Sequence, residues 1–236
     1  MNLYVVTGTT RGLGAALAAQ IAASPANELV TLSRSGATLT VDLADGAAVE
    51  AACESLEHLL RGKAYDKAVL FNNAGVIEPV GPLDRVEAAA LARNVAVNLV
   101  APMLLMGGFL RATRAVALRR IVNISSGAAR REIFGWSAYC AAKAGLDMAS
   151  RVVAVEAKQR GLAIEVTSLA PGVIDTAMQD TVRGASAETF VDVERFRKMK
   201  AEGTLRRAED VAADILRLEA SGKLQGDAVR DLRQIA

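Results

Sequence analysis

The sequence is short of the residues that metal and hydrolytic chemistries most often need. It holds one histidine, two cysteines and one tryptophan, and aromatic residues make up only 4% of it. With His58 alone a multi-histidine metal site is impossible, and any Ser-His-Asp arrangement would depend on that one residue. Cys53 and Cys140 do not resemble the disulfide framework of a small secreted domain. Neither sign of charge dominates: 28 Lys+Arg face 26 Asp+Glu, a net charge of +2, so no basic stripe marks a nucleic-acid surface. No apolar run reaches the ~18 residues of a membrane span, and the start, MNLYVVTGTTRG, lacks the charged-then-apolar layout of a signal peptide. The expectation is a cytoplasmic protein without nucleic-acid or membrane partners. What is present, 236 residues of which 52% are hydrophobic, is enough for one domain with a sizeable core.

Short β-branched runs alternate with longer Ala/Leu-rich segments, which predicts an α/β parallel sheet covered by helices. Strands are expected over 3–7, 28–33, 38–42, 67–72, 120–125 and 163–169, with a last edge strand over 228–232. Helices are expected over 13–23, 46–60, 83–110 with a break near Pro102, 137–159 and 208–220. Residues 175–205 are polar, charged and too long for an ordinary connection, so they are read as a substrate lid. No repeat or linker divides the chain, and residues 1–236 are read as one domain.

Thr7-Gly8-Thr9-Thr10-Arg11-Gly12-Leu13-Gly14 follows the first strand and opens the first helix. Glycines there let the backbone turn and approach a pyrophosphate, whose charge faces the helix N-terminus. Gly8, Thr10, Arg11, Gly12, Leu13 and Gly14 are therefore candidate cofactor contacts. The second strand ends in Ser33-Arg34, where an NAD-binding protein often carries an acid for the ribose 2′-hydroxyl. Arg34 and Arg11 instead offer guanidinium groups to a 2′-phosphate, which favours NADP(H) over NAD(H). Asp42 and Leu43 are placed to hold the adenine, although Asp42 would equally serve as a helix cap.

Tyr139 and Lys143 lie four residues apart on a predicted helix and so share a face one turn apart. A nearby ammonium favours the phenolate and lowers a tyrosine pKa, suiting the phenol to general acid–base work. Upstream, the fifth strand ends in Asn123-Ile124-Ser125-Ser126-Gly127, where an open α/β sheet exposes reactive side chains. Asn72-Asn73-Ala74-Gly75 closes the fourth strand, and Asn98 sits inside an apolar helix where its propensity is poor.

Taken in order, the glycine motif, Asn72-Asn73-Ala74-Gly75, Asn98, Ser126, Tyr139, Lys143 and Pro171-Gly172 resemble the short-chain dehydrogenase/reductase family over essentially the whole chain. The resemblance implies a single Rossmann-like, doubly wound parallel sheet of about seven strands, helices on both faces, and a homodimer or homotetramer. It implies Tyr139 as proton donor, Ser126 as hydrogen-bond donor to the carbonyl, and Lys143 as the ribose-binding lysine that lowers the tyrosine pKa. Asn98 would hold a water in the proton relay. Asn73, Ala74 and Gly75 would line the cofactor, while Pro171, Gly172, Val173 and Ile174 would meet the nicotinamide and Thr176 the phosphates.

Residues 123–127, 134–140, 170–179 and 229–233 are similar to the sepiapterin reductase-like branch of that family, and within it to bacterial benzil-reducing members. That likeness implies NADPH-dependent, stereoselective reduction of one carbonyl of a vicinal or aromatic diketone. A pterin carbonyl, a 3-oxoacyl thioester and a non-catalytic NADP-binding sensor stand as alternatives. Trp136, the one tryptophan, is read either as a stacking platform for a flat substrate or as core packing. Phe134 and Met178 would complete an apolar wall, and Asp231 matches an aspartate that anchors the pterin in sepiapterin reductases. Cys140 is read as packed rather than catalytic, and His58 as a surface residue.

Overall fold

The computed structural model describes residues 1–224 and 226–235. Seven strands form one all-parallel sheet: β1 (Asn2–Thr7), β2 (Asn27–Ser33), β3 (Leu39–Thr40), β4 (Lys67–Asn72), β5 (Leu118–Ile124), β6 (Ile164–Ala170) and β7 (Val229–Asp231). Their spatial order is β3-β2-β1-β4-β5-β6-β7. The near-continuous apolar strands are explained by this arrangement, since a parallel strand is covered on both faces. Alternation sorts their side chains into two cores. Leu3, Val5, Ala68, Leu70 and Ile121 meet Val49 and Leu56 of α2 (Gly46–Leu60) and Leu105 and Phe109 of α4 (Ala101–Ala112). Tyr4, Val6, Val69, Phe71 and Val122 meet Leu17 and Ile21 of α1 (Gly12–Ala22) and Val211 and Ile215 of α8 (Ala208–Ala220). The strand order departs in opposite directions from β1 and β4, so a crevice opens beyond their carboxyl ends, where such sheets bind ligands.

Three sequence expectations shift. The third strand shrinks to Leu39–Thr40 because the Asp42 carboxylate accepts the Ala44 N–H at 3.0 Å and turns the chain. Asp45, not Asp42, caps α2, accepting from the Ala47 and Ala48 N–H groups. The long helix over 83–110 divides into a short 3₁₀ turn, α3 (Ala88–Val95), a π-helical turn over Ala96–Val100, and α4. The break centres on Asn98 rather than Pro102, which sits in the first turn of α4. Pro102 has no N–H, and its ring crowds the carbonyl of residue 98, so the wider turn lies just before it. The stretch Ala88–Ala112 is long and apolar enough, by composition, to cross a membrane, with a mean hydropathy of 1.6. Its Ala101, Leu105, Met106 and Phe109 pack into the core of this sheet.

Residues 175–205 are largely helical. They form α6 (Ala177–Gly184) and α7 (Val193–Ala201), joined through the fully buried Phe190.

Candidate active site

A cavity of about 490 Å³ runs along the carboxyl ends of the strands, from the glycine loop to Tyr139. At one end Gly14 must lack a side chain: a Cβ there would lie 2.2 Å from the Gly8 carbonyl oxygen and 2.3 Å from Asn73 Nδ2. Asn73 Nδ2 donates to the Thr7 carbonyl at 2.9 Å, and the Asn73 and Ala74 N–H groups both donate to Thr7 Oγ1 at 2.9 Å. The two strands flanking the switch point are thus knitted together, and the loop between them is held open for a ligand. Ser33 Oγ steadies the same loop by accepting the Thr9 N–H at 2.9 Å. Thr7 and Ser33 were not singled out from the sequence, since a threonine and a serine at strand ends carry no distinctive signal.

All the candidate cofactor residues border this cavity: Gly8, Thr10, Arg11, Gly12, Leu13, Gly14, Arg34, Asp42, Leu43, Asn73, Ala74, Gly75, Tyr139, Lys143, Pro171, Gly172, Val173, Ile174 and Thr176. Arg11 and Arg34 are exposed on its rim and make no ion pair among the described residues. Asp42 is committed differently. The Ala44 N–H and then the Arg93 guanidinium, 3.2 Å from both carboxylate oxygens, hold its carboxyl below the usual range. The cradle that no Cβ could share, the helix N-terminus beyond it and the rim cations fit a dinucleotide phosphate.

At the other end, α5 (Ser137–Gln159) presents Tyr139 and Lys143 on its buried face. Ser126 caps the 3₁₀ turn after β5; its hydroxyl accepts the Ala128 N–H at 3.1 Å and lies beside Tyr139, whose phenolate it favours. Ser125, its neighbour, points away and donates to Asp147 Oδ1 at 2.6 Å. Lys143 Nζ donates to the Ile124 carbonyl at 2.8 Å and lies 5.7 Å from the Tyr139 ring centroid. Burial governs both titrations. It pushes the Tyr139 phenol up to about 12, against the Ser126 hydrogen bond, and pulls the Lys143 ammonium down to about 8, against the Asp147 charge. The expected lowering of the tyrosine by the lysine is not what governs it here: desolvation dominates, and Ser126 is the group that opposes it. Two hydroxyls meeting beside a dry ammonium can stabilise and protonate an oxygen that gains negative charge.

Asn98 does not border the cavity. Its Nδ2 donates to the Val76 carbonyl at 2.8 Å and to Asn94 Oδ1 at 2.9 Å, while its Oδ1 accepts the Val76 N–H at 3.1 Å. The side chain is thus spent on the loop after β4, which makes its place in an apolar helix intelligible. Gly75 admits this packing, because a Cβ there would lie 2.9 Å from Asn98 Oδ1 and 3.7 Å from Lys143 Nζ. Asn94 extends the clamp with bonds to the Val76, Ile77 and Glu78 carbonyls. Its spacing of four from Asn98 was the available signal.

The substrate wall departs most from the sequence reading. Trp136 is 5% exposed and stacks on Phe190 of the lid, centroids 4.9 Å apart and planes 4° apart. It also meets Phe196 at 5.7 Å and stands edge-on to Tyr139 at 5.7 Å. Of the two readings of this ring, platform and core packing, the fold shows the packing: it shields the lid's own phenylalanines from water, while still bordering the cavity. Met178 lines the wall as expected. Phe134 turns to solvent, 51% exposed, and lies outside it. Asp231 also lies outside: it is 5% exposed, and Arg233 reaches both its oxygens at 2.9 and 2.6 Å. An arginine two residues on neutralises the carboxylate locally. Cys140 is half-buried and His58 exposed.

The profile of the family described as short chain dehydrogenase matches residues 2–187. A benzil reductase ((S)-benzoin forming) from Bacillus cereus is 33% identical over 246 residues, covering 98% of this chain and 99% of the relative. The sepiapterin reductase of Rattus norvegicus is 32% identical, covering 98% of this chain and 96% of its own. Among solved structures, the KRED1-Pglu enzyme superposes with a TM-score of 0.82 at 28% identity, covering 98% of this chain and all of that one. Full-length similarity, the seven-stranded parallel sheet and the hydroxyl pair at its carboxyl edge converge, and the chain belongs to the short-chain dehydrogenase/reductase family of nicotinamide-dependent oxidoreductases.

Proposed function

We propose that this chain, one domain over residues 1–236 with a lid at 175–205, is a cytoplasmic NADPH-dependent reductase of vicinal or aromatic diketones. The observation that carries the reading is the Ser126–Tyr139 hydroxyl pair beside buried Lys143, on the wall of a cavity that also reaches the glycine loop. The reduced nicotinamide, when bound, supplies the hydride. Lys143 holds the ribose hydroxyls, and Arg11 and Arg34 hold the 2′-phosphate. Ser126 donates a hydrogen bond to the substrate carbonyl oxygen, and Tyr139 gives that oxygen its proton as charge builds there. Asn98, read from the sequence as holding a relay water, acts instead through its amide, which fixes the loop after β4 beside Lys143.

The apolar wall of Met178, Val182, Ile133 and Trp136 suits a hydrophobic substrate. The benzil reductase likeness points the same way, and the capture of Asp231 by Arg233 weighs against pterin recognition. Homo-oligomerisation is supported by exposed Val100 and Met103 before and on α4, and by Met148, Val152 and Val155, which make one apolar stripe on α5.

The test is the initial rate of NADPH oxidation with benzil, sepiapterin and an acetoacetyl thioester under one set of conditions. Fast, stereoselective benzil turnover is expected. Preference for sepiapterin would move the reading to pterins, and no turnover with any of the three would remove the substrate assignment.

A further inference from the structure

Tyr139, Lys143 and Asp147 follow one another at four-residue spacing along the buried face of α5. The third of them has no part in the chemistry described above. Asp147 is 5% exposed, and a buried carboxylate is costly unless its charge is answered. Its Oδ1 accepts from Ser125 Oγ at the end of β5 and from Ser168 Oγ in β6, both at 2.6 Å. Its Oδ2 is buried with no hydrogen-bond partner among the described residues.

The placement of Ser125 gives this clamp its meaning. The residue before it, Ile124, carries the carbonyl that receives Lys143 Nζ, and the residue after it, Ser126, carries the hydroxyl that meets Tyr139. One carboxylate therefore grips the peptide segment on which both contacts of the acid–base pair are built.

We infer that Asp147 is a positioning residue for the reaction: it anchors the Ile124–Ser126 segment to α5 and supplies the negative charge that keeps Lys143 an ammonium. The inference rests on the roles given to Tyr139 and Lys143 above. Tyr139 and Asp147 are the titratable side chains facing Lys143 from its own helix. From β5 and the turn after it come only the Ile124 carbonyl and the Ser125 and Ser126 hydroxyls, and from β6 the Ser168 hydroxyl. From the π turn comes the neutral Asn98 amide, and at β7 Asp231 and Arg233 answer one another. The Asp147 charge opposes the pull of burial on the lysine. Buried polar atoms without a partner are uncommon; Asp147 Oδ2 is one among the described residues, one helical turn from a buried cation.

Asp147→Asn keeps an acceptor for both serines and removes the charge. The first readout is the titration of Lys143 in the cofactor-free protein. It uses ¹³Cε-labelled lysine, with the resonance identified by its loss in Lys143→Arg. The midpoint is expected to fall by about one pH unit or more in Asp147→Asn, the effect of losing a nearby opposite charge, and to return in Asp147→Glu. The second readout is the alkaline limb of kcat/KM, expected to move to lower pH with the midpoint. Should Asp147→Asn not fold, Asp147→Ser, neutral and still able to accept from a serine, carries the same test.

An unmoved midpoint overturns the charge role, and a moved midpoint with an unmoved limb overturns the role in the reaction. Tyr139→Phe in the same assay separates the failures. If it retains turnover, the acid–base reading itself is wrong. If it is inactive while the Asp147 readouts stay still, only the present inference fails.

Discussion

Two buried ionic clusters sit toward opposite ends of the same sheet, built from similar residue types and put to opposite use. Toward the amino ends of the strands, Glu219 of α8 is 1% exposed and wholly answered. Lys67 Nζ and Arg120 Nη1 donate to its Oε1, each at 2.7 Å, and Tyr4 Oη donates to its Oε2 at 3.1 Å. Arg120 reaches on to Glu165 at 2.5 Å, so the cluster ties α8 to β1, β4, β5 and β6. Toward the carboxyl ends, Tyr139, Lys143 and Asp147 are also buried, yet Asp147 Oδ2 has no partner among the described residues and Tyr139 and Ser126 border a cavity. A saturated network has nothing left to offer a ligand and contributes rigidity. An incompletely satisfied one keeps polar capacity in a dry place, where it can act on a substrate.

The largest expected effect breaks the cluster at the reactive end. Tyr139→Phe should lower turnover by about 10²–10⁴-fold, the usual worth of a positioned proton donor. NADPH binding, followed by fluorescence, should survive, and the unfolding midpoint should not fall. Unchanged turnover would remove Tyr139 as proton donor.

The matching change at the other end should invert that outcome. Glu219→Ala leaves Lys67 without its counter-charge and Arg120 with Glu165 alone, at a cost of about 3–5 kcal/mol. Urea denaturation should show the loss, while kcat of the remaining folded protein stays near that of the parent. A large fall in kcat with little loss of stability would erase the distinction between the clusters.

A third prediction uses pH. Burial holds Lys143 at about 8 in the folded protein, below the ~10.4 of a free lysine, so between these values the unfolded chain binds the extra proton. Stability attributable to this site should rise as pH climbs from about 8 toward 10.4. Tyr139, pushed up to about 12, works in the reverse direction above about 10, where the unfolded phenol ionises first. Lys143→Met should flatten the lower-pH rise in denaturation free energy; an unaltered slope would mean the lysine is not desolvated as described.

The smallest effect should come from charges outside both clusters. Replacing Arg11 and Arg34 by alanine should weaken NADPH by roughly 10-fold or more per lost charged hydrogen bond, with little change for NADH. Equal losses for both cofactors would leave the arginines as general surface charge.

The sequence by itself determined most of the architecture, because that information is local. Runs such as Leu3–Thr7 and Lys67–Asn72 declare buried parallel strands by their continuous apolar interiors, and the spacing of Val49, Cys53, Leu56 and Leu60 places one face of α2 inward. The glycine loop and the Tyr139–Lys143 pair were legible for the same reason, since a turn and a helical period need only neighbouring residues. Tertiary structure alone decided what depends on distant partners. Trp136 meets Phe190 only because the lid folds back over it, and Asn98 turns to Val76, 22 residues away. Asp147 gains its meaning from Ser125 and Ser168, two strand-end hydroxyls brought together by β5 and β6. Asp231 stands between the two cases: its answering Arg233 was two residues away in plain view, but only the fold showed the arginine bordering the cavity and the carboxylate held behind it. Periodicity says which way a side chain points; desolvation and the competition for hydrogen bonds, which say what it does there, exist only once the chain is folded.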